Sequence, residues 1–237
     1  MQAPSFQRAR EPEQKEQRRR ALLDAAAALL ADGDLEAVTL SAIARAVGLA
    51  KSNVYRYFES REEILLELLV DDEVAWVGEL EQALAPLAGS DDADQVAAVV
   101  AATIARRPLT CELISVVAAV LERNLSATSV AGFKARVLEV SRRIRNALHA
   151  ALPSLPHAHA EALLRYLHAL VAGLWPMAHP APPTASVLAR PEFHGMCSQF
   201  DVDLRGALAA MLRGLMAPAG ATTRRATTRR APASHRR

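Results

Sequence analysis

Between Val38 and Phe58 the chain carries a cluster of donors and rings suited to a nucleic-acid surface: Lys51, Ser52, Asn53, Tyr55, Arg56 and Tyr57. Lys and Arg donate to guanine edges, Asn pairs two-pronged with adenine, and hydroxyl-bearing side chains reach phosphate. Val54 and Phe58 stand one helical turn apart and pack inward, which leaves the polar set facing out. A solvated helix face has the same composition, so the surrounding elements must decide. Upstream, Thr39 can cap a short helix whose Leu40, Ile43, Ala44 and Val47 recur at helical spacing. Gly48 follows where that helix must stop and the chain must turn, because glycine takes a left-handed conformation at little cost. Two short helices joined by such a turn, the second one basic and aromatic, fit a DNA major groove.

Thr39, Ile43-Ala44, Val47-Gly48, Tyr55, Tyr57-Phe58 and the run Ser60-Arg61-Glu62-Glu63-Ile64-Leu65 resemble, in type and spacing, the signature of the tetracycline-repressor (TetR) family of bacterial transcription regulators. The resemblance covers roughly Glu16 to Leu69. Two positions depart from it. Ala50 stands where the family often has a capping residue, and Arg61 stands where it commonly has Lys. The resemblance implies that Lys51, Ser52, Asn53 and Arg56 meet DNA on the recognition helix. It places Thr39, Tyr55, Tyr57 and Arg61 at phosphates, where contacts set register without reading sequence.

The same resemblance implies a C-terminal helical domain with a ligand cavity and a homodimer contact through the last two long helices. Trp76, Phe133, Trp175 and Met177 are candidates for the cavity wall, because large aromatics and Met offer area and adaptability. Ordinary core packing is the default for apolar residues at helical spacing and accounts for them without a cavity. For the dimer, Leu163, Leu167, Leu170 and Leu174 on one helix and Leu204, Leu208 and Met211 on the other supply wide apolar stripes. Gly173, Gly206, Ala209 and Ala210 would permit close approach in a four-helix bundle.

Composition supports the fold independently. Of 237 residues, 51% are hydrophobic but only 4% aromatic, so the core must rest on Ala, Leu and Val, which favours helix on helix. No alternating β-branched run marks a strand, and the expected class is all-α. The net charge of +2 is uninformative, but its distribution is not. Arg8, Arg10, Lys15, Arg18, Arg19 and Arg20 crowd one end, where an arm could reach phosphate or a minor groove. Six arginines from Arg224 to Arg237 crowd the other, where the pentamer Ala-Thr-Thr-Arg-Arg occurs twice and too little apolar surface is present to fold.

Along the chain, residues 1–14 read as a flexible basic arm and 15–60 as the DNA-binding unit, whose first helix buries Leu22, Leu23, Ala26, Leu29 and Leu30. Residues 61–217 read as the helical ligand-binding and dimerisation domain, and 218–237 as a disordered tail. Ser60 and Glu63 form an S-x-x-E capping box. It opens a helix long enough to serve as a strut between the two domains. Helices follow at Asp94–Ile104, Thr110–Leu121, Ser126–Leu152, Ala160–Met177 and Phe200–Met216, with an irregular Pro-rich stretch over 179–191.

Other chemistries lack a constellation. His157 and His159 have the wrong spacing for one helical face, and neither they nor His149 and His168 sit with Cys or carboxylates at metal-ligand spacing. No nucleophile elbow, Gly-rich phosphate loop or paired-carboxylate motif is present, so no enzyme, cofactor or metal is expected. Cys111 and Cys197 are expected as reduced thiols. No apolar segment reaches spanning length and no secretion-signal pattern opens the chain, so the expectation is a cytoplasmic protein without membrane contact. The partners expected are a double-stranded DNA operator, a small-molecule effector and a second copy of the chain. A ligand-independent architectural DNA-binding protein is the alternative.

Overall fold

The computed structural model describes residues 6–33, 35–117 and 120–217, which form helices and turns with no strand among them. Residues 1–5 and the tail over 218–237 lie outside this set. The first helix, α1, runs from Phe6 to Asp32, so residues 6–14 are helical and the arm expected over 1–14 is corrected there. The Gln, Glu and Arg residues that make this stretch polar are also strong helix formers, and extending an existing helix costs far less than nucleating one.

Helices α2 (Leu40–Ala46) and α3 (Lys51–Val54) follow, then α4 (Arg61–Leu84). α1 packs on α2 and α4, and α2 packs on α3. The core of this unit comes from Leu22, Leu23, Ala26, Val38, Ile43, Val54 and Phe58, all buried. At ~1.5–3 kcal/mol for each large apolar side chain removed from water, this small set is what holds so short a helix as α3 in place.

The remaining helices are α5 (Ala93–Ala105), α6 (Pro108–Val116), α7 (Ala127–Ala151), α8 (His157–Ala178), α9 (Pro182–Leu188) and α10 (Phe200–Met216). Side-chain caps set several starts. Asp92 Oδ1 accepts from the backbone N–H groups of Asp94 and Gln95 at 3.1 and 2.9 Å. Ser126 Oγ accepts from Ser129 N–H at 3.1 Å. α6 ends at Val116, earlier than the apolar run to Leu121 suggests, and a single 3-10 turn covers Leu121–Asn124. The Pro-rich stretch is not irregular throughout. Pro182 and Pro183 occupy the first turn of α9, where a missing N–H costs nothing.

α4 lies at the centre, against α1, α5, α6 and α7. α10 packs on α5 and α8 of its own chain. α5 contributes buried Val96, Ala97, Val100 and Ala101, and these small side chains let the leucines of α10 come close.

Candidate functional site

The turn between α2 and α3 is built as its residues demand. Thr39 Oγ1 accepts from Ala42 N–H at 3.1 Å, capping α2. Gly48 adopts φ +68°, and a Cβ there would meet nothing within 4 Å, so the demand is conformational and not steric. Ala50 begins α3 with no side-chain cap. Beyond α3 the chain tightens through Tyr57 N–H to Val54 O at 2.9 Å and Phe58 N–H to Val54 O at 3.1 Å.

This places Lys51, Ser52, Tyr55 and Arg56 on an exposed surface, with Asn53 half-buried beside them. Two expected contacts stand differently. Tyr57 is half-buried and packs against the apolar core. Arg61 is also half-buried: its Nη1 donates toward the carbonyls of Leu35 and Val38, both at 3.4 Å, and its Nε lies 3.5 Å from Glu62. Arg61 therefore ties the loop before α2 to the start of α4, and its guanidinium is not free at the surface. Thr39 spends its hydroxyl oxygen on the cap, while its donor remains for phosphate. Of the basic residues near the start, Arg19 pairs with Glu67, and Arg20 pairs with Asp71 at 3.2 Å and Asp24 at 3.0 Å. They fasten α1 to α4 and are not held out toward a ligand. Lys15 and Arg18 are exposed.

α4 connects this surface to the rest of the chain. Ser60 Oγ accepts from Glu63 N–H at 3.1 Å, and Glu63 Oε2 reaches back to Glu59 N–H at 2.5 Å, one residue before the ideal capping-box partner. Glu59 in turn accepts from Ser126 N–H at 2.9 Å, a bond that lowers its pKa and ties the first turn of α4 to the start of α7. Further along, Arg107 bonds Asp72 at 2.7 Å and also pairs with Glu79, and Thr110 donates to Asp72 at 2.5 Å, fixing α4 to the start of α6.

Of the cavities that border α4 or the α1 junction, three take in expected wall residues. Trp76 is buried in a narrow cavity of about 70 Å³ between α4, α5, α6, α7 and α8. Its Nε1 donates to Thr103 Oγ1 at 3.1 Å and Thr103 donates to Val100 O at 3.0 Å, so the indole's polar edge is satisfied and its ring is left as apolar wall. Phe133 lines a second cavity of about 310 Å³ between the first half of α4 and α7. Trp175 borders a third, of about 400 Å³, between the end of α1 and the start of α6, where its Nε1 donates to Glu112 at 2.9 Å. Met177 is 57% exposed and borders none of these, so its assignment to a cavity wall is corrected.

Sequence reading missed the most unusual group in the narrow cavity. Glu73 lines it, and its Oε2 is shut off from water with no hydrogen-bond partner. Burial, followed by the neighbouring charge of Asp72, pushes its pKa up to about 7. His168 lines the same cavity. It is exposed as a residue, yet burial of its ring and then the charge of Lys134 lower its pKa, so the imidazole is neutral at pH 7.

The leucine stripes assigned to a dimer contact are mostly spent inside the chain. Leu163, Leu167, Leu204 and Leu208 are 3%, 8%, 0% and 2% exposed in the single protomer, which corrects their assignment: they hold α8 and α10 on their own core. Leu170, Leu174 and Met211 are half-buried. The surface left open on α8 carries Tyr166, Ala169, Gly173 and Met177, and that on α10 carries Val202, Gly206 and Ala210.

Among the histidines, the His157 ring lies 4.5 Å from that of His149, while His159 Nδ1 sits 2.6 Å from Leu215 O, so the pair diverges. The buried Cys111 thiol is pushed up to about 12 by burial, and Cys197 is exposed and free. Among the described residues no helix is long and apolar enough to cross a membrane.

Comparison with known proteins places this architecture. Residues 22–68 match the model of "Bacterial regulatory proteins, tetR family", and residues 70–219 match "Tetracyclin repressor-like, C-terminal domain". Among solved structures, a TetR transcriptional regulator from Rhodococcus sp. RHA1 aligns over 86% of this chain and 100% of its own, with a TM-score of 0.52 and 18% identity. The fatty acid degradation regulator FadR from Bacillus halodurans aligns over 82% and 97%, with a TM-score of 0.52 and 14% identity. A second transcriptional regulator from Rhodococcus sp. Rha1 aligns over 84% and 95%, with a TM-score of 0.50 and 21% identity. At these identities the structures speak for the fold alone. No curated protein matches the sequence significantly. The family models between them span the helix-turn-helix and the helices beyond it, and the chain belongs to the TetR family of bacterial transcription regulators.

Proposed function

We propose that this regulator is a homodimeric, effector-released repressor acting on a DNA operator in the cytoplasm, by binding and not by catalysis. Residues 15–60, with the preceding turns of α1, read DNA. Residues 61–217 bind effector and partner. Lys51, Ser52, Asn53 and Arg56 carry base and phosphate contacts, with Thr39 and Tyr55 at phosphate.

The observation that carries this reading is the course of α4. Its first turn is joined to the loop before α2 through Arg61 and to α7 through Glu59. Three turns on, the same helix presents Glu73 and Trp76 to the narrow cavity. At about 70 Å³ that cavity falls well short of the ~300–1,000 Å³ of a drug-sized pocket. A molecule filling it pushes α4 away from α7 and α8, and α3 follows through the shared core. Two recognition helices matched to half-sites one DNA turn apart, ~34–36 Å, lose register when that happens.

The dimer contact is drawn from the open faces of α8 and α10. Gly173, Gly206 and Ala210 are exposed there, and small residues let helices of two copies approach. A purely architectural role would leave the orphaned carboxyl of Glu73 without purpose.

The test is a fluorescence titration. The protein is bound to an operator obtained by selection from random duplex, then challenged with a metabolite and drug library. Release of operator by a compound that also raises the melting temperature is the expected result, since a ligand binding only the folded state must stabilise it. Stabilising compounds that never alter operator affinity would refute effector control.

A further inference from the structure

The narrow cavity states what its occupant must bring. Its wall is apolar over most of its extent, including Trp76, Ile104, Ile144 and Leu167. Its polar or titratable lining residues, apart from the hydrogen-bonded indole of Trp76, are Glu73, His168 and Ser141. Glu73 Oε2 has no hydrogen-bond donor and no water contact, an arrangement that costs free energy unless something pairs with it. The cations that reach the acidic residues of α4 around it are engaged with those neighbours: Arg107 holds Asp72 and Glu79, and Arg143 holds Glu81 at 2.6 Å. Among the described residues no ion pair reaches Glu73. The missing partner is therefore a donor from outside the protein.

Building on the effector-released reading, we propose that the cavity takes a small apolar amine, its ammonium against Glu73 and its hydrocarbon body against Trp76, Ile104, Ile144 and Leu167. The three polar groups supply what an ammonium needs. A carboxylate pairs with the charge, and the imidazole of His168 and the oxygen of Ser141 accept its remaining N–H bonds. A neutral alkane or alcohol would gain the apolar wall but leave the carboxyl unpaired or only singly bonded. An anionic ligand would set like charge against like in a poorly hydrated space, which is costly. A raised carboxyl pKa is the ordinary state of such a site before its cation arrives, and the group gives up its proton to solvent when the ammonium enters.

Three probes of one length separate the chemistries: hexylamine, hexanol and hexanoate. Each is titrated against the wild-type protein while its melting temperature is followed, and against the operator complex while release is followed. Hexylamine is expected to stabilise and release at concentrations at least tenfold below hexanol, with hexanoate weakest. In Glu73→Gln the advantage of the amine over the alcohol should disappear. The wild-type ranking decides the matter even if the variant fails to fold. If hexanol or hexanoate matches hexylamine in stabilising the protein and releasing operator, the amine assignment is wrong while effector control stands. If none of the three stabilises the wild type, the amine assignment fails, and effector control is then judged by the library screen alone. Retention of the amine preference in Glu73→Gln would equally overturn the assignment.

Discussion

Glu73 should make the protein less stable as pH rises from acid to neutral, and Glu73→Gln should abolish that dependence. Its pKa is about 7 in the folded chain against an ordinary 4.5. The folded state therefore keeps this proton where the unfolded state has released it. The resulting advantage is full below pH 4.5, declines between 4.5 and 7, and is gone above 7. At about 1.4 kcal/mol per pH unit, the span from 4.5 to about 7 is worth about 3 kcal/mol. Gln keeps the shape and cannot ionise. Its own amide hydrogen bonds add a constant, so the informative quantity is how the stability difference between variant and wild type changes with pH. Urea unfolding of both proteins at pH 5 and pH 8 measures it. The variant should gain on wild type by about 2–3 kcal/mol between the two pH values, or roughly 4–12 °C in melting temperature for a chain of this size. An equal difference at both pH values would mean that Glu73 ionises freely and that the cavity is wetter than its geometry indicates.

Other perturbations follow from the same contacts. Lys51→Ala or Asn53→Ala should weaken operator binding and relax base preference by about 1–3 kcal/mol where a two-pronged contact is lost, read by titration against operator and scrambled duplex. Arg61→Ala should lower the melting temperature by untying Leu35 and Val38 while leaving the salt slope of DNA binding nearly intact, the reverse of what a phosphate contact would give. Leu208→Ala should destabilise the single protomer by about 2–5 kcal/mol, whereas Ala210→Glu on the open face of α10 should give a folded monomer in sedimentation. Gly48→Ala, forced into φ +68°, should cost about 1–2 kcal/mol in thermal melts.

Most helices were legible in the sequence because their ends carry local chemistry. Thr39, Ser60, Asp92 and Ser126 cap the positions they occupy, and Gly48 turns where its freedom is needed. Residues 6–14 misled because a polar segment reads as an arm until a neighbouring helix extends into it. The dimer face misled for a different reason. An apolar stripe shows that a helix face is buried, not what buries it, and Leu204 and Leu208 meet their own core before any partner. The surface that remains for a second copy is smaller in side chains and so quieter in the sequence. Glu73 follows Asp71 and Asp72 in an acidic run of the sequence. Yet it stands one turn from the buried Leu69 and Val77 and three residues before Trp76, half-buried on that face of α4, and that placement was a readable signal. The shape of the cavity was not readable, because it is made by five helices distant in sequence.

Two recognition surfaces held at a fixed distance by a dimer must leave their spacing in the DNA they select. Selection of bound sites from a pool of random duplex DNA tests it directly. The enriched sequence should be an inverted repeat with half-sites about one helical turn apart, ~34–36 Å, or a multiple of it. It should weaken as a whole for Ala210→Glu and lose base preference within each half-site for Asn53→Ala. Enrichment of a lone half-site, or of no sequence, would contradict the account.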